Sequence, residues 1–187
     1  MARVRAVLSQ NTSMAFPLTV KEVVMMGRYP HFTGKPTQKD NEICQNSMEL
    51  FNITDMSERN YLTLSGGEQQ RVHFSRVSAQ IWPDGSQTTK ILLLDEPLTY
   101  LDIYYQYEFL RLVRHLMQAQ EMIVIGVIHD LNLAYQFADK IALIANGKLV
   151  EAGKPDKVFT PENIKNVFKI SAKILKDDEG KKQLCFG

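Results

Sequence analysis

The chain has 187 residues, of which 44% are hydrophobic and 23% charged, a composition typical of a globular protein and unlike that of a disordered or fibrous one. Its 22 Lys and Arg residues nearly cancel its 21 Asp and Glu residues, so the net charge of +1 gives no general electrostatic reason to bind nucleic acid. The longest apolar runs, residues 91–94 and 122–128, are far shorter than the roughly 20 residues that a membrane-spanning helix needs.

The beginning of the sequence has no long apolar segment followed by a small-residue cleavage site, so we expect the chain to stay on the cytoplasmic side. The two cysteines, Cys44 and Cys185, lack CxxC spacing and lack histidines at ligand spacing. They predict two reduced structural thiols and no metal cage.

The first element is a short β-prone run over residues 2–8, which leads into the polar residues 9–13. A strand that opens a chain has no upstream neighbour, so we expect the sequence to begin in the middle of a sheet. Residues 15–63 then predict a small helical insert without repeats or low-complexity tracts.

Capping signals mark the helices of this region. Thr19 and Glu22 have capping-box spacing and predict the start of one helix, and a second is expected over about residues 37–51. Ser65 and Glu68 repeat the same spacing at the start of a third helix, which we expect to end near residue 83.

The second half alternates apolar strands with helices. Residues 91–94 and 122–128 predict strands, and residues 103–120 between them predict a helix, a pattern typical of a parallel sheet covered on both faces. Further elements are expected as a short helix at 131–139, a hairpin of 141–145 with 148–151, and one helix and a charged end in the tail from residue 154.

Ionisable residues follow both apolar strands at the edge where ligands of parallel sheets bind: Asp95 and Glu96 after the first, and His129 after the second. One carboxylate can hold Mg²⁺ while the other accepts a proton from an attacking water. Taken alone, the apolar strand followed by Asp95 and Glu96 fits equally well a strand that ends at the protein surface, where polar residues are exposed to solvent.

Ser65, Gly66 and Gly67 at a helix start are a second candidate site, because free backbone N–H groups and the helix dipole favour an anion. The alternative is an ordinary N-cap followed by flexible glycines. The conjunction of both sites in one chain favours the functional interpretation.

Residues 64–72 (LSGGEQQRV) resemble the signature motif of ABC-transporter ATP-binding subunits, and residues 91–97 resemble their Walker B strand with its catalytic glutamate. Gln10 stands at the position of the Q-loop glutamine, residues 101–102 at that of the D-loop, and His129 at that of the switch histidine. Within the family, residues 23–31, residues 79–82 and the polar loop before Walker B are similar to haemin importers. Iron-siderophore and cobalamin importers share much of this pattern.

The resemblance implies an α/β fold: an incomplete P-loop NTPase core with a parallel sheet and an inserted helical subdomain. It divides the chain into the start of the core with the Q-loop (1–14), the helical subdomain ending in the signature helix (15–82), the core with Walker B, D-loop and switch histidine (83–153), and a C-terminal helical tail (154–187).

The family also implies a role for each motif residue. Asp95 would position Mg²⁺, Glu96 would polarise the lytic water, His129 would contact the γ-phosphate, and Gln10 would link the metal and water to the surface facing the membrane subunit. The signature residues Ser65, Gly66, Gly67 and Glu68 would bind the ATP held by a second copy, and Asp102 would lie at the seam between the copies.

By the same resemblance, the chain powers import of haemin or a related iron compound from the cytoplasmic face of the membrane. Its expected partners are a second copy in a head-to-tail ATP sandwich, transmembrane permease subunits and, indirectly, a periplasmic binding protein, with no nucleic acid. Two alternatives stay open: a siderophore or cobalamin import ATPase, and a truncated non-catalytic remnant that docks to a partner. A soluble ABC ATPase of translation or DNA repair is disfavoured by the single signature and short chain.

Two features depart from the family pattern. No G-x-x-x-x-G-K-[ST] sequence occurs, so we expect an N-terminally truncated chain that is inactive by itself. Tyr100 stands in the D-loop where small residues are usual.

Other conspicuous residues predict packing or solvation. The aromatic residues of the 103–120 helix are expected to pack, and His31, His73 and His115 to lie on the surface or a helix face. The lysines at 173–182 predict a solvated end.

Overall fold

A computed structural model describes residues 1–9, 14, 16–83, 85, 87–178 and 180–187. The chain forms two compact units, residues 1–127 and 128–187. Gln10 lies outside the described residues, and the four-part division expected from the sequence stays a prediction.

A three-stranded parallel sheet forms the base of the first unit. Its strands are β1 (Arg5–Leu8), β2 (Lys90–Asp95) and β3 (Met122–Val127), in the spatial order β1-β2-β3. Leu8 pairs with Leu94, and Asp95 pairs with Val127, so the three carboxyl ends lie at one edge. The predicted parallel sheet is confirmed, although the first strand is shorter than residues 2–8.

The two faces of this sheet differ in burial. Ala6, Leu92 and Leu94 on one face are almost wholly buried. On the opposite face Ile125 is 60% exposed, and Val7, Ile123 and Val127 are exposed as well. Within the described residues the sheet is therefore covered on one face. The expectation of two covered faces was wrong. Continuous apolar strands indicate that a sheet is buried, but they do not show which elements bury it.

Three helices of the first unit begin with capping boxes: α1 (Val20–Met25), α2 (Gln38–Leu50) and α3 (Gly66–Gln80). The boxes of α1 and α3 were expected, and that of α2, formed by Thr37 and Asp40, was not. Short 3₁₀ segments connect them at Met26–His31, Thr54–Met56 and Tyr61–Thr63. A fourth helix, α4 (Ile103–Ala119), connects β2 to β3. In each capping box the N-cap hydroxyl and the acid three residues later satisfy each other's backbone N–H group, which explains why the starts of α1 and α3 were predictable from sequence.

Helix α3 approaches the segment before α2 very closely. A Cβ atom on Gly27 would lie 2.1 Å from the backbone oxygen of Arg76, so only glycine fits. Arg28 donates to the carbonyl of Ala79 at the end of α3 and forms a buried ion pair with Asp40 at 3.0 Å. The contact therefore fixes two helices against each other.

The predicted burial of side chains in the first unit agrees with the structure at some positions and not at others. His73 is 2% exposed, and its Nε2 lies 2.7 Å from the Tyr61 hydroxyl, so the expectation of a surface or helix-face histidine missed a core position. Phe109 of α4 is buried and stacks on Phe74 with ring centroids 3.7 Å apart, as expected of a packing residue. Tyr104 of the same helix is exposed.

The second unit contains α5 (Leu131–Phe137), the antiparallel pair β4 (Ile141–Ala145) and β5 (Lys148–Gly153), α6 (Pro155–Val158) and α7 (Pro161–Phe168). A second antiparallel hairpin follows, β6 (Ala172–Lys176) with β7 (Lys182–Phe186). The tail is thus not wholly helical. Lys173, Lys176 and Lys181 are exposed, as expected of a solvated end. Ala172 and Leu184 of this hairpin enter a core with Phe159 and Ile164, because alternate residues of a strand reach opposite faces.

The close approach at Gly27 predicts the effect of adding one methyl group. Gly27→Ala places a Cβ against rigid backbone, so we expect the free energy of unfolding to fall by about 1–3 kcal/mol. Urea denaturation of the 187-residue chain measures it. Gly66→Ala is the matched control, because its Cβ would lie 3.6 Å from the nearest atom and should leave stability unchanged. Equal stability of the two variants would contradict the tight contact.

Candidate functional site

The candidate site of the first unit lies where the N-terminus of α3 meets the loop after β2. This loop, residues 96–102, is held by side-chain amides from both sides. Gln70 of α3 donates to the Pro97 carbonyl at 2.8 Å, and Gln106 of α4 donates to the Leu101 carbonyl at 3.1 Å. The two predicted motifs, signature and Walker B, are therefore brought together, and Gln70 and Gln106 are contributors that sequence reasoning missed.

Two residues of this loop have a backbone conformation that is rare outside glycine. Glu96 has φ +47° and Tyr100 has φ +72°. A left-handed conformation costs a residue with a side chain about 1–3 kcal/mol and persists only where surrounding contacts enforce it. The hydrogen bonds from Gln70 and Gln106 to the loop supply such contacts. The carboxylate of Glu96 therefore projects from a strained backbone that neighbouring side chains hold in place.

The carboxylates at the end of β2 differ in exposure. Asp95 is exposed and Glu96 is partly buried. Among the described residues, no three His, Cys, Asp or Glu side chains gather as a metal cage. One accessible carboxylate nevertheless fits Mg²⁺, since this ion typically binds proteins through one or two carboxylates and takes its other ligands from water and substrate phosphates.

The start of α3 is an ordered cap. Ser65 Oγ accepts from the Glu68 N–H at 3.4 Å, and the Glu68 carboxylate accepts from the Ser65 N–H at 2.7 Å and from its hydroxyl at 2.9 Å. Arg59 lies 3.5 Å from the same carboxylate. These bonds engage the side chains of Ser65 and Glu68 in the cap, while the first backbone N–H groups of the helix, at Gly66 and Gly67, have no intrahelical acceptor.

The D-loop tyrosine lies beside these glycines. A Cβ on Gly66 would be 3.6 Å from the Tyr100 Cβ, and a Cβ on Gly67 would be 3.5 Å from the Tyr100 carbonyl oxygen. The Tyr100 side chain itself is 70% exposed. Tyr100 is therefore accommodated beside the N-terminus of α3 with most of its side chain exposed.

Asp102 and His129 each lie next to the start of a helix. Asp102 is the N-cap of α4, and its Oδ1 accepts from the Tyr105 N–H at 3.1 Å. His129 is exposed, belongs to the second unit and precedes Asp130, the N-cap of α5. The roles expected of Asp102, His129 and Gln10 stay predictions.

A second connection joins the helical region to α4. Arg71 of α3 lies over the ring of Tyr105 at 4.8 Å and donates to the Asn52 carbonyl at 3.0 Å. Asn52 in turn donates to Glu108 at 3.3 Å. Tyr105 thus packs against a neighbouring helix, as expected of the aromatic residues of α4, whereas no sequence motif marked the contact of Glu108.

Comparison with known proteins identifies the family. Residues 2–99, more than half of the chain, match the model of the ABC transporter family. The chain belongs to this family and has its α/β P-loop NTPase fold. In the described part of the chain, none of the helices combines the length and apolar character required to cross a bilayer.

Curated relatives are similar over nearly all of the chain. "Hemin import ATP-binding protein HmuV" of Gloeobacter violaceus is 44% identical over 94% of this chain and 63% of its own length. The protein of the same name from Escherichia coli O157:H7 is 42% identical over 95% of this chain and 67% of its own length. The chain therefore spans about two thirds of the curated relatives that it matches.

Solved structures share the fold. A transporter assigned to the metal-chelate ABC type, in an inward-facing conformation, superposes with a TM-score of 0.81 at 25% identity, covering 98% of this chain and 71% of that one. An ATP-binding cassette in its ADP conformation gives a TM-score of 0.69 at 15% identity, covering 89% and 67%, and shows the fold alone.

The α3 cap predicts a pH-dependent contribution to stability. Hydrogen bonds from the Ser65 backbone and hydroxyl hold the pKa of Glu68 below its usual value of 4.5. A depressed pKa in the folded state stabilises the fold above pH 4.5, and the contribution is lost as the pH falls through the folded pKa. Wild type should therefore exceed Glu68→Gln in stability at pH 7, with the difference closing as the pH falls below 4.5 and through the folded-state pKa.

Thermal melts between pH 3 and 7 measure this difference. Glu22→Gln is the matched control, because Thr19 lowers the pKa of Glu22 through the same capping box at α1. The two variants should show parallel pH profiles. A Glu68→Gln profile that runs parallel to wild type at all pH values would rule out the ionised cap.

Proposed function

We propose that this chain is the ATP-hydrolysing part of a subunit that powers import of haemin through an ABC transporter. The observation that carries the proposal is the joining of the α3 cap to the loop after Asp95 and Glu96 through Gln70. This hydrogen bond supports the proposal because it connects the helix whose backbone N–H groups would bind phosphate to the loop whose carboxylate would act in catalysis. The relatives named as hemin import proteins support the substrate.

The family resemblance and the positions of these groups support the following chemistry. Asp95 would hold Mg²⁺, which would offset the negative charge of the ATP phosphates. Glu96 accepts a proton from the water that attacks the γ-phosphate, and the held backbone aims its carboxylate. The N–H groups of Gly66 and Gly67 at the positive end of α3 bind the phosphate of ATP carried by a second copy.

The hydrogen bonds of the signature motif suggest different roles for its residues. The Glu68 carboxylate accepts two bonds from Ser65, so its role is to keep the N-terminus of α3 in shape. Gly66 and Gly67 leave the approach to the backbone open. By the family resemblance, His129 would contact the γ-phosphate, and Gln10 would link the metal and water to the surface facing the membrane subunit.

The proposed partners are those that the resemblance to ABC importers implies. A second copy completes each nucleotide site, transmembrane permease subunits receive the conformational change, and a periplasmic binding protein delivers the substrate to them. The subunit lies at the cytoplasmic face of the membrane, peripheral to it. Siderophore or cobalamin import is the second candidate for the substrate, favoured by the similarity to a metal-chelate type transporter.

The central test is the carboxylate after β2. In a chimera that carries a Gly-rich phosphate loop ahead of residue 1, Glu96→Gln removes the proton acceptor but leaves the phosphate contacts. We expect kcat for ATP hydrolysis to fall at least about 100-fold while ATP binding is retained. Phosphate release and filter binding measure the two quantities.

Glu42→Gln is the control for this test, because Glu42 on α2 bonds only its helix neighbour Gln38 among the described residues. It should leave turnover unchanged. Near-normal turnover of Glu96→Gln would refute the proposed base.

To identify the substrate, haemin and ferric siderophore uptake are compared in cells that depend on the chimera.

Residues 1–187 by themselves test the alternative of a non-catalytic protein. The sequence has no G-x-x-x-x-G-K-[ST], the motif whose backbone donors and lysine hold the phosphates of ATP. We expect weak ATP binding and negligible hydrolysis. Titration with a fluorescent ATP analogue decides it, and micromolar affinity with Mg²⁺-dependent turnover would show that another group holds the phosphates.

A further inference from the structure

The helix that follows His129 is short and depends on its surroundings. Helix α5 has seven residues, Leu131–Phe137, and isolated helices of this length are not stable in water. Asp130 caps it, accepting from the N–H groups of Asn132 at 2.8 Å and Leu133 at 2.9 Å. Because His129 directly precedes this cap, whatever holds the first turn of α5 also sets the backbone from which His129 projects.

Asn132 connects this first turn to the C-terminal hairpin. Its Nδ2 donates to the Leu184 carbonyl at 3.0 Å, and its Oδ1 accepts from the Leu184 N–H at 2.7 Å. The side-chain amide thereby satisfies both backbone groups of one residue of β7, as a neighbouring strand would do. Two hydrogen bonds to the same residue restrict the position and orientation of the Asn132 amide more than one bond would.

A second contact holds the next turn of α5. The Tyr135 hydroxyl donates to Asp156 Oδ1, and Lys182 of β7 lies 2.7 Å from Asp156 Oδ2. Burial and the bond to Asp156 raise the pKa of Tyr135 to about 12, so its hydroxyl remains a donor at neutral pH. Ala134 and Tyr135 also pack in the same core as Leu184.

We infer that Asn132 is a positioning residue for His129. By binding Leu184, Asn132 fixes the start of α5, and with it the backbone of His129, against the C-terminal hairpin β6–β7. The contact joins residues 52 positions apart, so it forms only when the hairpin has folded onto α5. The inference rests on the proposed function only for the catalytic meaning of His129. The clamp itself is a property of residues 128–187.

Nuclear magnetic resonance of the full 187-residue chain tests the clamp without nucleotide. The chain has four histidines, and His31, His73 and His115 belong to the first unit, so their ring signals are internal references. Asn132→Ala should shift or broaden the His129 ring signal and leave the other three in place. Amide exchange at residues 130–133 should become about tenfold faster, as two hydrogen bonds are lost.

Two further variants make the test specific. Asn163→Ala is the matched control, because Asn163 also donates its side-chain amide to a backbone carbonyl, that of Val158, but on α7. It should leave the His129 signal unchanged. Asn132→Asp keeps the acceptor for the Leu184 N–H and should move the His129 signal less than Asn132→Ala does.

The outcomes separate the clamp from the proposed function. A His129 signal in Asn132→Ala that matches wild type or Asn163→Ala overturns the inference. If Asn132→Ala unfolds and all four signals collapse, Asn132→Asp decides by the same criterion. Normal turnover of Glu96→Gln would refute the proposed function and leave the clamp standing.

Discussion

Helix α3 imposes the constraint on which the first unit depends, because its C-terminus is buried and its last carbonyl groups need donors there. Three side chains supply them: Arg28 bonds Ala79, His31 bonds Gln80 and Gln120 bonds Ile81. Burial lowers the pKa of His31, which favours a neutral ring whose Nε2–H donates to the carbonyl. The end of one helix thus organises residues from three parts of the chain.

Arg28 extends this dependence to α2. A buried guanidinium without a carboxylate is costly, and removing one partner of such a pair costs about 3–5 kcal/mol. Its partner Asp40 also closes the capping box of α2 with Thr37. The start of α2, the glycine contact at Gly27 and the end of α3 therefore form one coupled arrangement.

The two ends of α3 are held by different means, and this difference suits the proposed function. The buried end is fixed by neighbouring elements. The exposed end is closed by its own residues Ser65 and Glu68, which leaves the glycine N–H groups accessible to an anion. Gln70, one turn further, holds the strained loop that carries Glu96. A nucleotide at this helix end would therefore act on a loop connected directly to the helix.

The sequence by itself determined the capping boxes at Thr19 and Ser65, the apolar strands and the family motifs, because each is encoded by residues close together in the chain and needs no distant partner. It did not determine the hairpin β6–β7, whose lysine-rich strands bury only Ala172 and Leu184 against a core built elsewhere. Nor did it determine the core position of His73, the left-handed backbone of Glu96 and Tyr100, or the clamp of Asn132 on Leu184. These features arise from contacts between residues far apart in the chain, whose energies local composition does not record, and so only the tertiary structure decided them.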